Sequence, residues 1–244
     1  MNIHILKSKK DIDQAVANEF INCIKSNPNC VLGLATGSTP LGIYSLLVKD
    51  HLLNNTSYKN VTTVNLDEYI GLPFTHPESY HQFMHRHLLN HIDIQLSNVH
   101  IPNGLSSNLE QACSNYDKLL DCFVPDIQLL GIGANGHIGF NEPGTSFNST
   151  THIIDLTQKT REDNARFFNS IDDVPTQAIT MGIQNIMSAK KIILVATGAS
   201  KAKAIHQMIT TDVQESLPAS ILQNHPCVDI YVDSDAAKLL LKQK

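Results

Sequence analysis

The sequence predicts an α/β protein, a single-domain, open, mostly parallel, doubly wound sheet with helices on both faces. Three observations carry this. Short apolar runs recur along the chain: Ile3 to Leu6, Val31 to Ala35, Val61 to Leu66, Ile127 to Ile132, Ile192 to Ala196 and Val228 to Val232. Runs of this length, rich in Ile, Leu and Val, suit strands buried on both faces. Between them lie stretches with apolar residues at helical spacing, and six or seven strands interleaved with helices make the doubly wound sheet the economical architecture. Several runs also break into small-residue turns at their carboxyl ends, where open α/β sheets place their ligands.

In chain order, Ile3 to Leu6 is the first strand. Ser8 with Asp11 marks a helix start, and Ile12, Val16, Phe20 and Cys23/Ile24 then recur at helical spacing until Asn27-Pro28-Asn29. Val31 to Ala35 leads into Thr36-Gly37-Ser38-Thr39 and Pro40, with Leu41, Tyr44, Leu47 and Val48 on one face beyond. Pro40 suits the first helical position, where its missing N–H costs nothing. A strand, a small-residue turn and a helix start present backbone N–H groups and hydroxyls to an anion. No Gly-Lys-Ser/Thr follows, so this is not a Walker loop; an ordinary βα turn is the plain alternative.

Val61 to Leu66 ends in Asp67-Glu68-Tyr69. Adjacent side chains on an extended segment point opposite ways, so at most one of the two carboxylates faces a site; the other reading is a helix cap with a solvated neighbour. His76, His81, His85, His87 and His91 crowd a predicted helix. The His81/His85 spacing fits a metal pair, but H-E-x-x-H and a nearby third ligand are missing, so no metal is expected. Ser106 to Cys122 reads as an amphipathic helix with Leu109, Ala112, Tyr116 and Leu119/Leu120 inward, stopped by Pro125.

The chain is organised around Asp126 to Gly144, DIQLLGIGANGHIGFNEPG. A buried strand breaks into Gly131, Gly133, Gly136 and Gly139, with Asn135, His137, Asn141 and Glu142 set among them. Glycines let the backbone turn sharply and approach a ligand closely. A histidine, a carboxylate and two amides after a buried strand form a site composition, where a lone histidine would read as structural. G-I-G-A-N-G matches the letters of a dinucleotide fingerprint, but His137, alternating apolar residues and Pro143 come next instead of a helix, and the lone pattern is weak evidence.

The stretch from Gly144 to about Pro175 is polar and holds Thr157, Lys159, Arg161, Arg166, Phe167 and Phe168. Its low apolar content suits a cover over the site, roughly residues 145–176, and lids exclude water during chemistry. Arg166 beside two phenylalanines reads as a surface cation over an aromatic or as an anion clamp. Ile192 to Ala196 is followed by Thr197-Gly198-Ala199-Ser200, a second A-T-G-x-S/T turn, and by a helix with Ile205, Met208 and Ile209. Both turns should lie on the carboxyl edge of one sheet. A lysine at a helix start opposes the dipole unless an anion lies between them, which assigns Lys201 to a phosphate and leaves Lys203 on the surface. Val228 to Val232 is the last strand, and a charged helix ends the chain.

The 244 residues suffice for one large domain, and nothing in the composition marks a linker. Hydrophobic residues make up 42% and charged ones 17%, a globular composition. A net charge of -5 gives no basic field for nucleic acid or an anionic membrane. No apolar run approaches the ~20 residues of a membrane span, and MNIHILKSKKDID has no signal-peptide core. Cys23, Cys30, Cys113, Cys122 and Cys227 are scattered and lack C-x-x-C spacing. Buried free thiols in a reducing cytoplasm are expected.

ATGSTPLGIY, NLDEYIGLPFTHPESYHQFM, GIGANGHIGFNEPGT, DNARFF and ATGASKA together resemble the glucosamine-6-phosphate deaminase family, in its shorter form, over nearly the whole chain. The resemblance implies a Rossmann-like domain that converts D-glucosamine 6-phosphate and water into D-fructose 6-phosphate and ammonia, with no redox or organic cofactor. It places the proton acceptor at carbon 2 on Asp67, the ring-opening histidine on His137, and its orienting carboxylate on Glu142. Asn135 stands where one branch of the family has aspartate and another asparagine. Phosphate and sugar contacts fall on Gly37, Ser38, Thr39, Arg166 and Lys201. Where the larger allosteric enzymes carry a cationic pair after NEP, this chain has His152 and Ile154, and the long C-terminal tail is missing. Both points argue against activation by N-acetylglucosamine 6-phosphate and for a monomer over a hexamer.

Two rivals differ in testable ways. A 6-phosphogluconolactonase shares the glycine-histidine motif but needs no aspartate at carbon 2. A sugar-phosphate sensor would be expected to carry a helix-turn-helix extension or a basic face.

Overall fold

The structure is a computed structural model that describes residues 1–241, apart from the side chains of Asp163 and Phe167. Phe167, one of the two aromatics read beside Arg166, therefore lies outside the described side chains, as do the last residues of the charged terminal helix.

Chain order gives β1 (Asn2–Leu6), α1 (Lys9–Ser26), β2 (Val31–Leu34), α2 (Leu41–Asn54), β3 (Thr62–Asn65), β4 (Asp67–Tyr69), α3 (Tyr80–His87), β5 (Val99–His100) and α4 (Leu109–Cys122). Next come β6 (Ile127–Leu130), β7 (His152–Asp155), α5 (Gln158–Asn164), β8 (Gln177–Thr180), α6 (Ile183–Met187), β9 (Ile192–Ala196), α7 (Ala202–Thr210), β10 (Val228–Asp233) and α8 (Lys238–Leu241). Seven strands form one sheet in the order β1-β10-β9-β6-β2-β3-β5, with every pairing parallel. This is the expected doubly wound α/β sheet in a single domain.

Burial follows position in the sheet. Central β6 and β9 are buried at every residue, whereas edge strand β1 leaves Ile3 and Ile5 exposed. One continuous core joins the strands to the apolar faces of α1, α2, α4 and α7. Helix α1 starts as its sequence predicts: Ser8 Oγ accepts the Asp11 N–H at 3.2 Å, and Ile12, Val16, Phe20 and Ile24 turn inward. Helix α2 starts one residue later than expected, since Pro40 is the capping residue and its carbonyl accepts the Tyr44 N–H at 2.9 Å. Helix α4 starts at Leu109 rather than Ser106, because Asn108 Oδ1 takes the Gln111 N–H at 2.9 Å and so sets the cap.

The topology fixes where a ligand can enter. From β2 the chain runs outward through β3 to β5, then returns to β6 on the other side of β2. Their diverging carboxyl ends open a crevice at this switch point. The loops after β2, β3, β6 and β9 all emerge there.

Two expectations change. The run Val61 to Leu66 leads directly into a further strand. Leu66 is a pivot whose N–H donates to Leu34 O in the large sheet at 3.2 Å and whose carbonyl accepts from Met181 N at 2.7 Å. Beyond it, Asp67–Tyr69 pairs antiparallel with β8, which pairs antiparallel with β7, making a second, three-stranded sheet. The polar stretch after Gly144 thus contains a strand, half-exposed β7, as well as covering structure. The thiols are all free, but only Cys30 and Cys113 are buried, with Cys23 intermediate and Cys122 and Cys227 exposed. Among the described residues, no helix is long and apolar enough to cross a membrane.

Candidate active site

A cleft of about 550 Å³ opens at the switch point. The two A-T-G-x-S/T turns both line it, after β2 and β9 on either side of β6. Gly37 and Gly198 share the same left-handed backbone, with φ of +85° and +86°, so two separate strands end in turns of like shape. The first is anchored by Tyr44, whose hydroxyl donates to Ala35 O at 2.6 Å. The second is anchored by Asp233, whose two carboxylate oxygens accept the Gly198 N–H at 3.0 and 2.9 Å. Thr36, Gly37, Ser38 and Thr39 line the cleft from one turn, and Thr197, Ser200 and Lys201 from the other. Lys203 is exposed and is not among the lining residues. From the polar segment, Arg166 reaches across to the first turn, its Nη2 donating to Ser38 Oγ at 3.4 Å.

Asp67 follows β3, the strand beside β2. It is 7% exposed and faces the cleft. Burial, and then the charge of Glu68, push its carboxyl up to about 8. Glu68 points the other way, as strand alternation requires. It is 1% exposed and accepts the backbone N–H groups of Tyr69, Tyr80 and His81 at 2.8, 2.9 and 3.0 Å. The cap-with-solvated-neighbour reading does not hold, since both carboxylates are buried and Ser79 caps α3; Glu68 instead binds backbone N–H groups at the start of α3, and Asp67 faces the cleft.

The glycine-bordered loop after β6 carries the imidazole. Gly133 N–H donates to His137 O at 2.9 Å, folding the loop so tightly that a Cβ on Gly133 would come within 2.4 Å of His137 ring atoms. His137 lines the cleft, and its Nδ1 lies 3.5 Å from Glu142 Oε2, an ion-pair separation without hydrogen-bond geometry. Glu142 stands behind it, 9% exposed. Asn135 Nδ2 donates to Glu142 Oε2 at 2.7 Å, and Asn135 Oδ1 accepts the His137 N–H at 3.2 Å. Asn135 is exposed and does not line the cleft, so it bears on the pair by holding it. Burial acts to raise the Glu142 carboxyl. The His137 imidazole, the Thr160 hydroxyl and the Asn135 amide outweigh that effect and hold it down to about 2.

Of the residues singled out from the sequence, Gly37, Ser38, Thr39, Asp67, His137, Arg166 and Lys201 share this one cleft. The sequence reasoning missed Thr160, which donates to Glu142 Oε1 at 2.6 Å, and Asn164, which donates to the Tyr69 hydroxyl at 2.9 Å. The signal available for Thr160 was the Thr157-x-x-Thr160 helix start, a capping pattern. The crowded histidines turn to local partners: His81 Nδ1 lies 3.1 Å from Glu68 Oε2, His85 contacts Asn90 Oδ1 and His91 contacts Arg86 O. Only His81, His85 and His87 of the five lie on α3.

Fold and cleft together define a class: an open parallel α/β protein with ionisable side chains gathered in a cleft at its topological switch point. A family model described as "Glucosamine-6-phosphate isomerases/6-phosphogluconolactonase" matches residues 7–230. A relative from Geobacillus sp. (strain WCH70) named glucosamine-6-phosphate deaminase is 51% identical, covering 96% of this chain and 94% of its own. Glucosamine-6-phosphate deaminase 1 of Bacillus subtilis is 48% identical, covering 98% of this chain and 99% of its own. The chain belongs to the glucosamine-6-phosphate deaminase family.

Among solved structures, a deaminase described as monomeric superposes with a TM-score of 0.96 at 48% identity, over 98% of this chain and 100% of that one. The 6-phosphogluconolactonase of Trypanosoma brucei superposes at 0.81 with 19% identity, over 98% of each chain, and shows a shared fold.

Proposed function

We propose that this chain converts D-glucosamine 6-phosphate and water into D-fructose 6-phosphate and ammonia. The observation that carries the reading is that a buried carboxylate and a carboxylate-backed imidazole face one cleft that is also lined by two small-residue turns and by Arg166 and Lys201. The family relationship supports the same substrate.

The phosphate sits against Gly37, Ser38, Thr39 and Lys201, with Arg166 closing from the cover. Its binding energy, remote from the reacting carbons, orders the sugar. The closed ring has no carbonyl, so His137 takes the proton from the anomeric hydroxyl and returns one to the ring oxygen. Glu142 stabilises the imidazolium between the two transfers, and Asn135 positions Glu142. The open-chain aldehyde acidifies the hydrogen on carbon 2. Asp67 removes that proton while the ammonium on carbon 2 gives one to oxygen 1, and Asp67 then delivers its proton to carbon 1 of the enolamine. The ketimine left at carbon 2 adds water and expels ammonia, giving the ketone. Burial makes Asp67 a stronger base than a solvated carboxylate whenever it is ionised. The net change joins isomerisation to loss of ammonia, so isomerase describes it better than hydrolase alone.

In this reading the segment 145–176 is the lid: Lys159, Thr160, Asn164 and Arg166 line the cleft from it. The chain works as a monomer, as the 48% identical neighbour is described, in a reducing cytoplasm where its free thiols persist. The acidic net charge favours neither nucleic acid nor an anionic membrane as partner. An enzymatic ammonia assay with glucosamine 6-phosphate, run beside 6-phosphogluconolactone hydrolysis, tests the reading. Ammonia release without lactonase activity supports it, and the reverse result overturns it.

A further inference from the structure

Glu142 has more partners than the imidazole it backs. Its Oε2 receives the Asn135 amide at 2.7 Å and faces His137 Nδ1 at 3.5 Å. Its Oε1 receives the Thr160 hydroxyl at 2.6 Å and lies 3.5 Å from Thr157 Oγ1. Thr160 is 7% exposed, so this contact is closed to water, and it spans 18 residues from the glycine-bordered loop to the covering segment.

A hydroxyl has one proton to give and can accept in return. Thr157 Oγ1 donates to Thr160 Oγ1 at 2.9 Å, which leaves the Thr160 proton for Glu142. Thr157 Oγ1 also accepts the Thr160 N–H at 3.1 Å, the contact that caps α5. The start of α5 and the carboxylate behind His137 are therefore joined by one chain, Thr157 to Thr160 to Glu142. The same short helix lines the cleft with Lys159 and Asn164, so its placement over a substrate and the aim of the carboxylate are mechanically linked.

We infer that Thr160 is a positioning residue: its hydroxyl fixes the Glu142 carboxylate with Oε2 toward His137, so that the pair is set for ring opening only when α5 is seated over the cleft. This rests on the deamination reading of the cleft. Without the hydroxyl, Oε1 has no strong donor and the carboxylate is free to turn away from the imidazole. Hydrogen-bond partners that orient metal-ligating side chains typically contribute about 10- to 100-fold, and the same scale is expected of a hydroxyl that orients a carboxylate.

The test compares wild type, Thr160→Val and Thr160→Ser in ammonia release from glucosamine 6-phosphate. A second measurement is binding of the open-chain alcohol obtained by reducing the substrate's carbonyl, which needs no ring opening. Valine keeps the shape and removes the hydroxyl; serine keeps the hydroxyl. The inference expects Thr160→Val to lose about 10- to 100-fold in kcat, with KM and open-chain affinity within about twofold of wild type, and serine to restore most of the loss. Wild-type kcat in Thr160→Val overturns it. So does a variant in which kcat, KM and open-chain affinity deteriorate together and serine restores nothing, the pattern of a purely structural residue. A wild-type protein that releases no ammonia overturns the deamination reading and the inference with it, an outcome distinct from both.

Discussion

Asp67 and Glu68 are adjacent, both buried, and opposite in circumstance. Glu68 is surrounded by donors: three backbone N–H groups and the His81 ring within 3.1 Å. Asp67 faces a cleft, and burial together with its neighbour's charge makes ionisation costly. The strand that carries them alternates faces at the point where the chain leaves one sheet for another, so one carboxylate serves the fold and the other the site.

This predicts the pH dependence. A base must be ionised to act, and Asp67 is pushed up to about 8 in the free cleft. The value of kcat/KM, which reports the free enzyme, should therefore rise as pH increases toward and through about 8. Glu68→Gln removes the second cause, and the rise should move to lower pH. The linked effect on stability has the opposite sign. A carboxyl whose folded pKa is raised favours the fold while protonated, and that contribution is lost as pH rises through the folded value. Asp67→Asn should thus melt higher than wild type above about pH 8, measured by thermal denaturation across the pH range.

Glu142 behaves in the contrary way. Held down to about 2, it contributes stability above the ordinary carboxylate range, and that contribution is lost as pH falls toward the folded value. Glu142→Gln should flatten the acid side of the stability profile below about pH 4.5. Denaturant melts on the acid side, between the ordinary value of 4.5 and the folded value of about 2, read this out.

His137→Gln should damage ring opening alone. Turnover of the closed-ring substrate should fall by roughly 10²- to 10⁴-fold while the open-chain alcohol binds as it does to wild type. Equal loss on both would make His137 a binding or packing residue.

Gly133→Ala probes the same loop without touching a reacting group. The added methyl would come within 2.4 Å of the His137 ring, so the imidazole must move. Activity should fall by up to about 100-fold, the cost of misplacing a reacting group by about 1 Å, with circular dichroism still showing a folded α/β protein.

Arg166→Met and Lys201→Met should raise KM about 10- to 100-fold, the size of a lost charge-assisted contact of about 1.5–3 kcal/mol. Their kcat should change less, because the phosphate is remote from carbons 1 and 2. Inorganic phosphate should protect wild type against heat more than it protects either variant.

Much of this site is legible in the residues because its parts are local. The turn after β2, the turn after β9 and the loop from Gly131 to Glu142 each declare themselves by glycines and polar groups following a buried strand. The topology then brings their carboxyl ends together. Asp67 was legible as one of a pair, since alternation allows only one member to face the cleft. The small sheet was not legible. His152–Asp155 and Gln177–Thr180 are four-residue strands bordering polar sequence, and they are strands because they pair with each other and with Asp67–Tyr69. Thr160 escaped notice for a related reason: its capping role is local, while its bond to Glu142 depends on how α5 docks.

The most direct test follows glucosamine 6-phosphate carrying deuterium at carbon 2 through wild type and Asp67→Asn. The account predicts ammonia release by wild type with label recovered at carbon 1 of fructose 6-phosphate, and release roughly 10²- to 10⁴-fold slower in Asp67→Asn with phosphate binding retained. An Asp67→Asn variant that releases ammonia at the wild-type rate would contradict it.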